Sequence, residues 1–422
     1  SLFVLWTFVS SLVFPPSLTY AQTAANLPAP GAMLQLSAPF APAVLRGFKV
    51  DPNNPLLFDF IVDKGDTKLA GQPLQAEGKK LIKYFLTALT VPSKDLWVNL
   101  SPYENNRIIA EKFGQTEMGR DLLAQDYILK QLTASLMYPE DELGAKFWKR
   151  VYERAKAEFG TTDIPVDTFN KVWIMPDTAK VFEKGNNVYL VDAKMKVMLE
   201  QDYVAMFHQK DMAESRASAR DVALESNKAG VQEGKLSDNN KYNVSKFASD
   251  IVRDIIIPEL TREVNEGKNF APLRQVHYSL VLAAWYEKKI KDSILGETFA
   301  GKNKIAGNES GDPAAKDKIY AKYVEAFKKG AYNYIKEDAD TLSQEVLPRK
   351  YFAGGYTAED GVPFAVAELD SGTGVMVPDR LAAFETNIAP GDMAMTDAEA
   401  VDALMATRVG TNGKGLDAIR RT

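Results

Sequence analysis

Residues 115–136 read "QTEMGRDLLAQDYILKQLTASL", and apolar side chains recur there at helical spacing: Met118, Leu122, Leu129, Leu132 and Leu136 form one seam. Tyr127 and Ile128 fall on other sides of the same helix. A helix that is apolar on several sides is unstable on a surface, so much of it is expected to be buried beneath other elements. Thr116 is placed to cap its N-terminus.

Asp126 lies beside that seam rather than opposite it. A carboxylate there is costly unless it is paired or caps something. One reading makes it a general acid or base with a raised pKa. The preferred reading is structural, an ion pair or hydrogen bond to another group, with Arg120, Lys130 or a remote arginine as candidate partners. The triplet Gln125-Asp126-Tyr127 is echoed by Gln201-Asp202-Tyr203, but the flanks do not match, so the echo reads as chance plus shared helical context.

Around this segment the chain alternates between two periods. Residues 43–50 and 56–62 carry β signals on either side of the turn "DPNNP", which predicts a hairpin. Leu81, Ile82, Phe85, Leu86 and Leu89 have helical spacing before Pro92, and "DLWVNLSPYE" reads as a short strand. Pro139 opens a second helix whose first turn, Glu140 to Glu142, suits the positive end of the helix dipole; it continues through Phe147 and Val151 to Gly160. Residues 170–199 become β-rich around a turn at Gly185, Asn186 and Asn187, which predicts an antiparallel meander. A helical hairpin follows at residues 244–294, with Gly267 at the end of its first helix and Pro272 at the start of its second. Pro258 predicts a kink or break after Ile257. A last amphipathic helix carries Ile319, Tyr323, Phe327 and Tyr334 in register.

The fold class expected is therefore α+β, predominantly helical, with a small N-terminal β hairpin and an antiparallel meander near 170–199. The expected organisation is a signal peptide at 1–21, an extended Pro/Ala-rich leader at 22–32, an α+β domain at 33–208 and a polar, flexible connection at 209–242. A helical region at 243–355 should pack on the first domain, and residues 356–422 should be a mostly disordered tail with one short helix near 397–407.

Export is read from the apolar run at residues 2–14, ended by Pro15 and Pro16, with Thr19 and Ala21 at −3 and −1 positions before Gln22. The run is short for a membrane span, which needs about 20 residues. No positive charge precedes it, so the basic start of the leader is expected to lie ahead of Ser1; the alternative is an uncleaved anchor. The location expected is periplasmic, cell-envelope or secreted.

Composition narrows the chemistry. The net charge of −5 gives no electrostatic case for nucleic-acid binding. Cysteine is absent, which excludes disulfides, thiolate ligands and thiol nucleophiles, and only His208 and His277 offer an imidazole. No HExxH spacing, G-x-S-x-G elbow, phosphate loop or complete calcium loop occurs, so no cofactor and no metal are expected. The weak catalytic candidates are Glu104 and Glu117, near element ends, together with Asp126; each has a simpler reading as a solvated loop charge, a helix-start charge or a strut. Trp97, Trp148 and Trp173 could line a sugar-binding face, but core contacts are their commoner role.

The blocks "DLWVNLSPYE", "FGQTEMGRDLLAQDYILKQLTASLMYPEDELGAKFWKR", "FNKVWIMP", "VMLEQDY" and "PRKYFAGG" resemble an uncharacterised family of exported proteins from uncultured candidate-phylum bacteria. The resemblance spans residues 28–355 and implies a Gram-negative-type envelope or secreted location. It carries no activity and no catalytic residues. The function expected is a non-enzymatic envelope or secreted protein that binds an unidentified partner or forms an assembly. The alternative is a carboxylate-dependent extracytoplasmic hydrolase acting on polysaccharide or peptidoglycan. A third reading is a solute or lipid carrier with its pocket between sheet and helical hairpin.

Overall fold

The structure is a computed structural model that describes residues 27–50, 57–100, 108–138, 140–160, 172–184, 187–200, 239–291, 314–329, 354–358, 361–363, 365–368 and 381–387. Shorter pieces are described at 162, 202–203, 205–206, 312, 338–339 and 346–347. The expected signal segment, the "DPNNP" turn, most of the 209–242 connection and the helix near 397–407 lie outside the described residues.

The fold is α+β. In chain order, β1 (Val44–Val50) and β2 (Leu57–Asp63) precede α1 (Gly71–Thr90), β3 (Trp97–Val98) and the short α2 (Glu111–Gly114). Then come α3 (Glu117–Leu136), α4 (Glu142–Phe159), β4 (Val172–Lys184) and β5 (Asn187–Leu199). They are followed by α5 (Asn239–Glu266), α6 (Ala271–Lys291) and α7 (Ala315–Lys328). The short strands β6 (Asp338–Ala339) and β7 (Val346–Leu347) pair only with each other, while β8 (Gly354–Thr357), β9 (Ala365–Glu368) and β10 (Leu381–Asn387) return to the main sheet.

The main sheet runs β10-β2-β1-β5-β4-β8-β3, with β9 also paired to β4. The expected N-terminal hairpin forms as β1–β2, and residues 172–199 form one long antiparallel hairpin, β4–β5. Pairing of β1 with β5, from Gly47 opposite Tyr189 to Lys49 opposite Asn187, joins the two hairpins into a single sheet. Pro176 lies at a register shift in β4, where a residue without an N–H is tolerated. The outer edge of β4 takes two parallel partners on either side of that irregularity: β8 along Val172–Ile174 and β9 along Lys180–Glu183.

Two expectations are refined. Within the tail, read as mostly disordered from its Gly/Ala/Asp/Thr-rich composition, residues 365–368 and 381–387 form β9 and β10, and β10 pairs with β2 along its whole length; most of residues 356–422 lie outside the described residues. Backbone groups of an existing edge recruit these strands, so no strong apolar pattern is needed to place them. Secondly, of the kink or break expected at Pro258 the break does not occur: α5 runs through Pro258 as one helix. The carbonyl that Pro258 cannot serve belongs to Asp254, whose side chain is 57% exposed, so solvent can reach that face.

The long helix with several apolar sides is the centre of the molecule. Every residue of α3 is buried except Glu117 and Ile128. It contacts α1, α2, α4, α5, α6, α7, β3 and β8. Thr116 caps it, its hydroxyl accepting from the Gly119 N–H at 2.9 Å. Asp141 caps α4, which ends on Gly160 in the left-handed conformation (φ 71°), where glycine carries no Cβ penalty. Between the sheet and the helices, Phe48 meets Phe58, Phe85 and Trp285 edge-on at 5.4, 5.3 and 5.6 Å, the geometry that aromatic quadrupoles favour. No described helix is long and apolar enough to cross a membrane.

Residues 27–42 form a strap over the helices. It makes a turn at Ala29–Ala32 and otherwise runs without regular structure, held mainly through side chains. Tyr127 donates to the Pro28 carbonyl (2.9 Å), Gln131 to that of Ala32 (2.6 Å), and the Leu34 N–H donates to Ser135 (2.9 Å). Further along, Arg274 donates to the Phe40 carbonyl at 2.7 Å. One end of the leader expected at 22–32 is thus docked on the polar side chains of α3.

Candidate functional site

A cavity of about 380 Å³ opens between the strap, α1, α3 and the start of α6. That volume lies within the range of about 300–1,000 Å³ typical of small-molecule sites. Its walls are mostly apolar: Leu27, Leu34 and Phe40 come from the strap, Leu69 precedes α1, and Ala124 and Ile128 come from α3.

Three buried polar side chains also line the cavity. Lys80 Nζ lies 2.8 Å from Glu77 Oε1 and donates to Gln275 Oε1 at 3.0 Å. Gln275 Nε2 donates to Glu77 Oε1 at 2.6 Å and is also within 2.7 Å of the Ala43 carbonyl oxygen. The triangle sets the Gln275 amide orientation, because its oxygen must face the ammonium and its nitrogen the carboxylate. All three side chains are buried, and the two charges cancel. Glu77 and Lys80 share a face of α1 with Leu81 and Tyr84, so the helical period itself turns them inward. The Lys80 ammonium also lies 5.9 Å from the Tyr84 ring centre.

Gln125 is the fourth polar wall residue. It is 3% exposed, and its Oε1 has no hydrogen-bond partner among the described residues. An unpartnered buried acceptor costs about 1–3 kcal/mol, and this atom is enclosed by protein rather than open to the cavity. Thr67, the one hydroxyl among the described lining residues, donates to the Lys64 carbonyl at 2.6 Å. No nucleophile–base pair forms in this lining.

The residues singled out in the sequence lie elsewhere. Asp126 is fully enclosed: Lys130 Nζ approaches both its oxygens at 2.6 Å, and Oδ2 accepts from the Leu100 N–H at 2.6 Å. Burial pushes this carboxyl above its ordinary range, against the opposing pull of Lys130 and the Leu100 N–H. Glu117 stands in the first turn of α3, 3.3 Å from Arg120 and 3.7 Å from Lys83. Glu117 and Asp126 are nine residues apart on one helix, about 13 Å along its axis. That exceeds the roughly 5–10 Å at which paired glycosidase acids work. Glu104 and His208 lie outside the described residues.

The second triplet differs in role from the first. Asp202 makes a two-pronged pair with Arg253 at 2.8 and 2.9 Å, and Tyr203 stacks on Trp173. Trp148 is buried and donates to the Met137 carbonyl at 2.8 Å. His277 is wholly buried on α6. Among the described residues no group of three His, Asp or Glu side chains is placed to hold a metal ion.

Sequence reasoning missed Glu77, Lys80, Gln275 and the cavity role of Gln125. One signal was present: an acid and a lysine three residues apart on the apolar face of a helix. The chain matches no family model, no curated protein and no solved structure.

Proposed function

We propose that this chain is an exported envelope or secreted binding protein, without catalytic activity, that holds a small, largely apolar molecule in the cavity beneath the strap. The observation that carries this reading is the cavity itself. It has apolar walls, a few inward-turned polar groups with neutralised charge, and the volume of a ligand site. Export is supported by the apolar run at 2–14 with small residues before Gln22, and by the resemblance to exported proteins. The hydrolase alternative draws no support from Glu117 and Asp126, each held in ion pairs.

Titration of the full chain with diphenylhexatriene, a hydrocarbon that fluoresces in apolar surroundings, tests the cavity. One saturable site is expected. Ile128→Trp, at a partly buried cavity position, should abolish it while leaving the helical circular dichroism unchanged. Absence of binding, or binding unaffected by that substitution, would overturn the reading.

A further inference from the structure

We infer that the cavity takes an amphiphile with a single anionic head, its chain between the apolar walls and its head at the mouth beside Lys268; the inference rests on the binding role proposed above. Charge in the described lining comes from three residues, Glu77, Lys80 and Lys268. Glu77 and Lys80 are buried, lie 2.8 Å apart and are bridged by Gln275, so their charges are satisfied within the wall. Lys268 differs in both respects. It is the one exposed residue of the described lining, which places it where the cavity meets solvent. Its ammonium lies 5.8 Å from the ring centre of Phe40, a wall residue, and no carboxylate pairs with it among the described residues.

The described lining therefore carries one uncompensated positive charge, and it stands at the mouth. Ala271 and Pro272 line the cavity too, so the start of α6, the positive end of its helix dipole, borders the same space. The acids Asp66 and Glu266 belong to a neighbouring recess that shares Phe40 and Pro42 with this cavity; neither lines the cavity itself. A head left at the mouth keeps much of its hydration, so its charge escapes the desolvation cost that burial would impose. The chain gains by leaving water against Leu34, Ala124 and Ile128. Solvent screens the attraction between Lys268 and the head, so the gain is modest. A cationic head in the same place is repelled, and the sign of the preference identifies the head.

The test displaces diphenylhexatriene from the full chain with decanoate and decylamine, ten-carbon competitors whose heads have opposite charge at neutral pH. The net charge of −5 draws cations to the molecule in general, so a preference for decanoate must come from local charge. At low salt, decanoate should displace the probe at concentrations about fivefold below those of decylamine. The ratio should narrow in about 0.5 M salt, where charges are screened over shorter distances. Lys268→Glu should reverse it. Taking the ratio within each protein cancels any change in probe affinity. Equal displacement by the two competitors, tighter displacement by decylamine, or a ratio indifferent to Lys268→Glu would overturn the inference while probe binding still stood. Failure of the parent chain to bind the probe would sink the cavity reading, and this inference with it.

Discussion

Lys130 reaches back one helical turn and sets its ammonium 2.6 Å from both carboxylate oxygens of Asp126, with neither side chain more than 2% exposed. The pair does not gain stability simply by existing, since both charges had to leave water. Burial lowers the lysine's pKa and raises that of the aspartate, each against its partner's pull. What the pair does is fasten: Asp126 Oδ2 takes the Leu100 N–H and so ties the segment after β3 to the central helix. Asp126→Asn retains an acceptor for Leu100 but takes away the negative charge opposite a buried ammonium, with an expected loss of about 3–5 kcal/mol. The double variant Asp126→Asn with Lys130→Met removes the uncompensated charge as well and should recover most of that loss. Urea melts of the three proteins check this; a single variant as stable as the parent would refute the strut role.

His277 predicts an acid limb in stability. The ring is wholly buried, and neither nitrogen has a well-aligned partner among the described residues; its approach to the Lys194 backbone is a poor one. Burial lowers its pKa from 6.5 to about 4. Between those values the unfolded chain binds a proton that the folded chain refuses, so folding loses free energy as the pH falls. The contribution is complete above pH 6.5, declines towards pH 4 and is flat below it, totalling about 3 kcal/mol. Melts from pH 7 to 4 should show that decline, and His277→Leu should remove it; a variant with an unchanged slope would assign the acid sensitivity elsewhere.

Gly119 should invert the usual helix rule. In an exposed helix, Gly→Ala gains about 1 kcal/mol. Here a Cβ on Gly119 would sit 2.0 Å from the Phe113 carbonyl oxygen, where the chain turns from α2 into α3. Backbone cannot swing aside as a flexible side chain can, so Gly119→Ala is expected to cost about 1–3 kcal/mol. Chemical denaturation with an unchanged m-value would confirm it, and a stabilised variant would contradict the close approach.

Periodicity made the helices legible, because a 3.6-residue seam such as Met118–Leu122–Leu129 reports burial directly from local sequence. The N-terminal hairpin and the antiparallel character of residues 170–199 were legible for the same local reason, through alternation and turn residues, although the expected meander is a single long hairpin. What joins them was not: β1 meets β5 across more than a hundred residues, and no short-range pattern encodes that register. Composition misjudged residues 365–368 and 381–387, since a strand added to a ready edge needs little apolar character of its own. The ion pair of Asp126 was legible, with Lys130 among its candidate partners. The cavity was not, because its lining comes from the strap, α1, α3 and α6, segments that only the tertiary fold brings together.

One acid anchors the middle of the strap. Glu263 of α5 is wholly buried and accepts from the Ser37 N–H at 3.0 and 3.1 Å, from the Ser37 hydroxyl and from Asn269 Nδ2 at 2.8 Å. Its carboxyl group fits only because residue 267 has no side chain: a Cβ on Gly267 would lie 2.2 Å from Glu263 Cδ. Beyond Ser37 the strap continues as Phe40, whose N–H donates to the Glu266 carbonyl at 2.9 Å and whose ring helps wall the cavity. Removing the carboxylate in Glu263→Ala leaves the Ser37 N–H unpaired, and Gly267→Ala displaces the same group by crowding. Both should loosen the strap without unfolding the helices beneath it, because a segment can open locally when only its own anchors are weakened. Hydrogen exchange should accelerate about tenfold or more at the Leu34, Ser37 and Phe40 amides, equivalent to about 1.4 kcal/mol, while the amides in the middle of α6 keep their protection. Equal acceleration in both places would mean that Glu263 supports the whole fold; no acceleration would mean that α3 alone holds the strap down.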